Sequence, residues 1–248
     1  KITDRLNQTI TVNNDFYISK YEVTQSEYEK LVGNNPSYFQ GTDLGNNSIE
    51  SITWYDAVYF CNKKSEAEGL TPYYTITGIT KSSNNIVDAV VTENIYDSFG
   101  VTGYRLPTID EWLFAGRGGN NTKDYFFCGG DIPDNVAWYY NDSQETNADN
   151  GITLGDGYKH GTSPIGKKVQ NELGLFDMSG NVAEWCNDVS GGYRYIFGGH
   201  WANTVDEIQD LHLSRLSKKC DVALFTKENA LSILAKTSNV GLLSDSLL

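Results

Sequence analysis

Basic charge is scarce in this chain of 248 residues: 19 Lys and Arg stand against 32 Asp and Glu, a formal net charge of −13. Nucleic acid and anionic membrane surfaces need a basic face, so neither is expected as a partner. No apolar run reaches the roughly 18 residues that a transmembrane helix needs. Histidine is nearly absent, and His160, His200 and His212 have no helical metal spacing. The four cysteines, Cys61, Cys128, Cys186 and Cys220, are too scattered for a CxxC metal site or a small disulfide scaffold. Cys61 and Cys186 lie among apolar and aromatic residues and read as small packed hydrophobes; a disulfide between some pair stays open. There is no Gly-x-Ser-x-Gly elbow and no phosphate-binding glycine loop. The chain starts at Lys1 without a signal peptide, which says nothing of its compartment.

Aromatic residues and glycine are plentiful. Tyr occurs 16 times and Gly 24 times, which suits an irregular, loop-rich domain with a sizeable core. One stretch concentrates this chemistry: Gly174-Leu-Phe-Asp-Met-Ser-Gly-Asn-Val-Ala-Glu-Trp185. Phe176 and Trp185 read as core anchors. Asp177 and Glu184 are carboxylates held close to them, and charges rarely sit there without a partner. A glycine-interrupted loop offering carboxylates and carbonyls suits a hard cation such as calcium. A tight turn whose Asp and Asn cap their own backbone is the other reading, and the commoner one on spacing alone.

The remaining chain alternates short elements with loops. Residues 10–23 alternate apolar and polar side chains and read as a strand or hairpin turning at Asn13-Asn14. Thr24 reads as the N-cap of a helix over 25–32 that Gly33 and Pro36 stop. A second helix covers 54–67, with Trp54, Val58, Cys61 and Ser65 on one face, and ends at Gly69. A surface hairpin is expected around Ser82–Asn85. Thr108 and Glu111 have capping-box spacing at the start of a third helix. Residues 118–165 are loop-rich, and a run of that length in a compact domain needs something to pin it. Asn135, Asp142, Asp149 and Asp156 are its oxygen donors. A strand returns at 193–197. Beyond Trp201, spacing at Val205, Ile208 and Leu211 or His212 suggests helix, as does the run from 222 to 235 after Asp221.

Four blocks carry a resemblance: Tyr21-Glu-Val-Thr-Gln-Ser-Glu-Tyr28, Gly103-Tyr-Arg-Leu-Pro-Thr-Ile-Asp-Glu-Trp112 running on to Ala115-Gly-Arg-Gly-Gly119, the 174–185 stretch, and Gly198-Gly-His-Trp201. In order and at compatible spacing, they resemble the signature blocks of the formylglycine-generating-enzyme (sulfatase-modifying factor) family, a branch of the C-type-lectin fold. The resemblance covers roughly residues 10–203. It implies a single α+β domain over 1–248, with small antiparallel sheets, flanking helices and long loops, and a divergent C-terminal region over 204–248. Dense Tyr usage and Asn34-Asn-Pro-Ser37 look most like bacterial, spirochaete-type members. Some of those are surface lipoproteins whose C-terminal region is varied by a diversity-generating retroelement.

The family holds two calcium ions. Matched residue by residue, the first implied site uses Asn135, Val136, Asp156 and Tyr158. The second uses Asp177, Gly180, Val182 and Glu184, with Asp177 where animal members have Asn. The family's oxidases convert a substrate cysteine with a copper-binding cysteine pair just after the Gly-Gly turn. The matched positions here are Asn203 and Ile208, which offer no thiolate for Cu(I), so neither copper nor formylglycine formation is expected. The fold-sharing sulfoxide synthases need a histidine cluster that this sequence lacks. The implied function is a non-catalytic, surface-displayed binding protein for a protein or glycan ligand, at the cell surface or outer membrane, with any lipid anchor outside this sequence. Its site would use Trp201, Asn203, Asp206, Glu207 and Gln209. Two other classes remain: an oxidase using Cys186 or Cys220, and a structural envelope protein. Oligomeric state is not readable from the sequence.

Overall fold

A computed structural model describes residues 1–41, 44–94, 102–142, 152–153, 159–209, 214–217 and 231–232. The elements are β1 (Ile2–Thr3), β2 (Thr9–Ile10), α1 (Gln25–Val32), α2 (Trp54–Ala67), β3 (Tyr74–Ser82), β4 (Asn85–Glu93), α3 (Ile109–Gly116), α4 (Pro133–Val136), β5 (Ile152–Thr153), β6 (Lys159–His160), β7 (Ala183–Ser190), β8 (Tyr193–Phe197), α5 (Val205–Ile208), β9 (Ser214–Ser217) and β10 (Leu231–Ser232). This is a mixed α+β fold of short helices and small sheets.

The three longer helices begin where their caps dictate. Thr24, Thr53 and Thr108 have extended backbones, and each side chain accepts from an N–H in the first turn. Asp56 and Glu111 complete capping boxes at the latter two, so free N–H groups are satisfied before packing begins. Gly33 ends α1 in the left-handed conformation, φ +90°, which glycine adopts without strain.

The main sheet has the order β10-β7-β8-β9. β8 pairs antiparallel with β7 and β9, and β10 lies parallel to β7. Its β7 strand separates two cores. Trp185 packs with Trp54, Val58, Phe60, Tyr74 and Leu106 on one side. Cys186 packs with Trp112, Leu175, Met178 and Phe197 on the other. Trp54, Trp112, Trp185 and Trp201 are all less than 2% exposed. Such burial stabilises the fold by roughly 1.5–3 kcal/mol for each large side chain. The β3–β4 hairpin turns at Ser83-Asn84, with a register shift between Thr77 and Thr80. Tyr74 at its open end and Asn85 and Ile86 beside its turn are buried, while most of its length faces solvent.

Three expectations need correction. Residues 11–23 form no strand beyond an isolated bridge at Tyr17; the paired strand next to them is Thr9–Ile10, with Ile2–Thr3. The alternation there is satisfied by packing, since Phe16 and Ile18 lie against the second core. Helix after Trp201 is confined to Val205–Ile208 among the described residues. Ser214–Ser217 instead covers the open edge of β8, and Leu231–Ser232, inside the expected second helical run, pairs with Ala183 and Glu184. β7 itself carries Glu184 and Trp185 on a strand, where the sequence suggested only a loop.

Candidate functional site

The loop between Gly174 and β7 is unusually shaped. Asp177 (φ +60°), Gly180 (φ +79°) and Asn181 (φ +57°) all take the left-handed conformation within five residues. Strained backbone of this kind persists where surrounding contacts over-determine it. Those contacts are visible. The Gly180 N–H donates to the Gly198 carbonyl at 2.8 Å, the Asn181 N–H to the Trp138 carbonyl at 2.8 Å, and the Trp201 N–H to the Asn181 carbonyl at 2.9 Å. Phe176 is half-buried, stacked on Tyr21 with ring centres 5.1 Å apart.

Two carboxylates face inward from this loop. Asp177 is 2% exposed and Glu184 is fully buried. Asp177 Oδ2 accepts from the Gly166 N–H at 2.6 Å, and Glu184 Oε2 accepts from the Trp112 indole. Their other oxygens, Asp177 Oδ1 and Glu184 Oε1, have no hydrogen-bond partner. Burial pushes Asp177 up to about 6, against the Gly166 N–H, the Lys168 ammonium and the Trp138 indole. Burial also raises Glu184 well above the usual carboxylate range, and the Asp177 charge adds to the rise while Trp112 opposes it.

A third buried carboxylate, Glu22, lies behind the loop. Its Oε2 accepts from the Ser48 hydroxyl and from the Asn181 amide, the latter at 2.6 Å; its Oε1 accepts from the Val182 N–H at 3.3 Å. Burial raises Glu22 well above its ordinary value, and the charges of Asp177 and Glu184 raise it further. Sequence reasoning missed this residue. A glutamate between Tyr21 and Val23 in an alternating segment reads as an ordinary solvent-facing position, so no local signal marked it.

Two inward carboxylate oxygens without a partner are costly in a buried site unless a cation joins them. Asp177 and Glu184, with the carbonyls of Gly180 and Val182, offer only oxygen, the donor set of calcium rather than of a soft metal. The residues therefore fit the ion. Among the described residues no group of three His, Cys, Asp or Glu side chains converges on one metal position, so an ion held here would need backbone carbonyls or water to complete its shell. Of the first implied calcium set, Asn135 is exposed on α4 and its carbonyl accepts from the Val169 N–H at 2.8 Å. Val136 is buried with Phe127, Tyr139 and Ile208. Asp156, Tyr158 and the further donor Asp149 lie outside the described residues. Asp142 pairs with the Lys168 ammonium, which also donates to the Asp134 carbonyl at 2.6 Å and sits 4.1 Å from the centre of the Trp138 ring.

The expected ligand residues divide by burial. Trp201 is fully buried and packs edge-on against Phe39 at 5.3 Å, beside Leu44 and Val182. Asn203 Oδ1 accepts from the His200 N–H at 2.8 Å, and its amide donates to Glu207 at 3.2 Å. Glu207 also accepts from the Thr204 N–H at 2.8 Å. Asp206 and Glu207 are exposed and Gln209 is half-buried. Ile208 is fully buried.

The described cysteines are packed thiols. Cys61, Cys128 and Cys186 are unpaired and buried, and Cys220 and His212 lie outside the described residues. Burial pushes the Cys61 and Cys128 thiols up to about 12, and Cys186 well above its ordinary value, so none is a ready thiolate. His160 is buried and stacks on Tyr140. No helix among the described residues is long and apolar enough to cross a membrane.

Comparison with known proteins identifies the family and the fold. A family model described as "Sulfatase-modifying factor enzyme 1-like domain" matches residues 3–222. "Chaperone protein LppX" of Paenibacillus barcinonensis is 39% identical over 206 residues, covering 77% of this chain and 71% of that protein. "Inactive C-alpha-formylglycine-generating enzyme 2" of Bos taurus is 33% identical over 110 residues, 42% of this chain and 34% of that protein. Among solved structures, Treponema denticola variable protein 1 superposes with a TM-score of 0.65 at 26% identity, covering 88% of this chain and 84% of that one. The chain belongs to the sulfatase-modifying factor (formylglycine-generating-enzyme-like) family.

Proposed function

We propose that the chain is a non-catalytic binding domain of this family, displayed at the cell envelope and directed at a protein or glycan. One observation carries the reading. At the two positions matched to the oxidases' copper cysteines stand Asn203, engaged by His200 and Glu207, and Ile208, which is fully buried in an apolar cluster. An apolar side chain sealed into the core leaves no place for a metal-bound thiolate pair. Asp206, Glu207 and Gln209 form the accessible part of the binding surface, with Asn203 at its edge and Trp201 supporting it from below. The relative named as a chaperone favours a protein partner, since a chaperone acts by holding another protein.

Calcium at Asp177, Gly180, Val182 and Glu184 is part of the proposal. When bound, it would supply two positive charges to the buried carboxylates and hold the loop whose Asn181 carbonyl accepts from the Trp201 N–H. A diversified C-terminal region is the finer form of the reading. Sequencing the last codons of the gene across one growing population tests that form, and a uniform tail removes it. The binding role is tested on arrays of purified surface proteins and glycans. Saturable binding that Asp206→Ala and Gln209→Ala weaken supports it, and an array without any bound ligand favours a structural envelope role instead.

A further inference from the structure

We propose that Glu22 is the positioning residue of the cation loop: it fixes the Asn181 side chain and the Asn181–Val182 peptide unit, and so couples calcium binding to the Gly198–Trp201 turn. The inference rests on the reading of Asp177, Gly180, Val182 and Glu184 as a calcium site.

The geometry is specific. Glu22 stands on the segment leading into α1, and its partners come from far along the chain. Ser48 and the Asn181 amide donate to one carboxylate oxygen, and the Val182 N–H donates to the other. The Asn181 amide also donates to Ser48 Oγ at 3.0 Å, and Asn181 Oδ1 accepts from the Ser163 N–H at 2.9 Å. Asn181 and Val182 are thus held from behind. A peptide plane is rigid, so holding the Val182 N–H also holds the Asn181 carbonyl of the same unit, the one that accepts from the Trp201 N–H, and the carbonyls of Gly180 and Val182 flank that fixed unit on either side. Glu22 has no open oxygen of its own, unlike Asp177 and Glu184, and therefore supports the site without ligating.

The same loop grips the turn beneath the binding surface. Gly180 donates to Gly198, Asn181 accepts from Trp201, and Val182 packs on the Trp201 ring. A cation that orders the loop therefore orders the turn.

Calcium chloride is titrated calorimetrically into the full chain, its Glu22→Gln and Glu22→Ala variants, and Asp177→Ala as the ligand control. Thermal melts are run with calcium and with chelator. Wild type binds saturably and Asp177→Ala does not. Glu22→Ala weakens affinity about tenfold to a hundredfold, the range found when residues supporting metal ligands are removed. Glu22→Gln, which keeps the volume and one acceptor oxygen, recovers part of that loss. Both variants lose part of the calcium-induced rise in melting temperature. A merely structural role would lower the melting temperature equally with and without calcium. Wild-type affinity in either Glu22 variant overturns the inference while leaving the calcium site standing. Absence of binding by wild type overturns both.

Discussion

Gly180 sits where no other residue fits. A Cβ there would lie 1.8 Å from the Trp138 carbonyl oxygen, on a backbone at φ +79°. Gly180→Ala is expected to destabilise the chain by about 3 kcal/mol or more, combining positive-φ strain with overpacking against rigid backbone; a urea unfolding curve checks it. Trp201 and Asp206 make an opposed pair. Trp201→Ala empties a sealed aromatic site and is expected to cost about 3–5 kcal/mol. Asp206→Ala changes an exposed carboxylate and is expected to stay within about 0.5 kcal/mol, while weakening ligand binding. Equal stability losses in the two variants would contradict the assignment of Trp201 to the core. At this scale the sequence was partly legible. Asp177 and Glu184 stood out because carboxylates beside Phe176 and Trp185 demand a partner. Glu22 did not, because its partners Ser48 and Asn181 lie 26 and 159 residues away, and no local spacing brings them together.

Among the elements, helices were readable because their ends are chemical. Thr24 and Thr108 cap α1 and α3 where the sequence places them, Thr53 caps α2 just before its expected start at Trp54, and Gly33 stops α1. Thr108→Ala is expected to lower stability by about 1 kcal/mol through loss of the bond to the Glu111 N–H, measured by thermal melting. Strand β7 was hidden for the opposite reason. Its first five residues are all buried, since both faces meet a core, and a strand buried on both faces shows no alternation. Residues 11–23 erred the other way: they alternate, but no neighbouring strand completes a ladder. The α5 spacing at Val205 and Ile208 was real, yet it lasts one turn.

On the scale of the whole molecule, buried carboxylates set the response to pH. Burial raises Glu50 to about 7 and Asp177 to about 6, and raises Glu22 and Glu184 well above the usual range. A carboxyl whose pKa is higher folded than unfolded binds its proton more tightly in the native state. Its contribution is complete below the unfolded value of about 4.3 and is lost as pH rises through the folded value. In chelator, the melting temperature is therefore expected to fall between pH 5 and pH 7.5, approximate bounds set by this linkage. Calcium should shrink that fall by favouring the ionised Asp177 and Glu184. A melting temperature that rises across this range in chelator would contradict the burial of these groups.

The account stands or falls on the absence of oxidase chemistry at Asn203 and Ile208. Its most direct test incubates the purified chain with Cu(I), oxygen and a Cys-Thr-Pro-Ser-Arg peptide, and reads the peptide by mass spectrometry. The account predicts unchanged cysteine at every enzyme concentration. Formylglycine peptide that accumulates with enzyme concentration, above a control without protein, would contradict it.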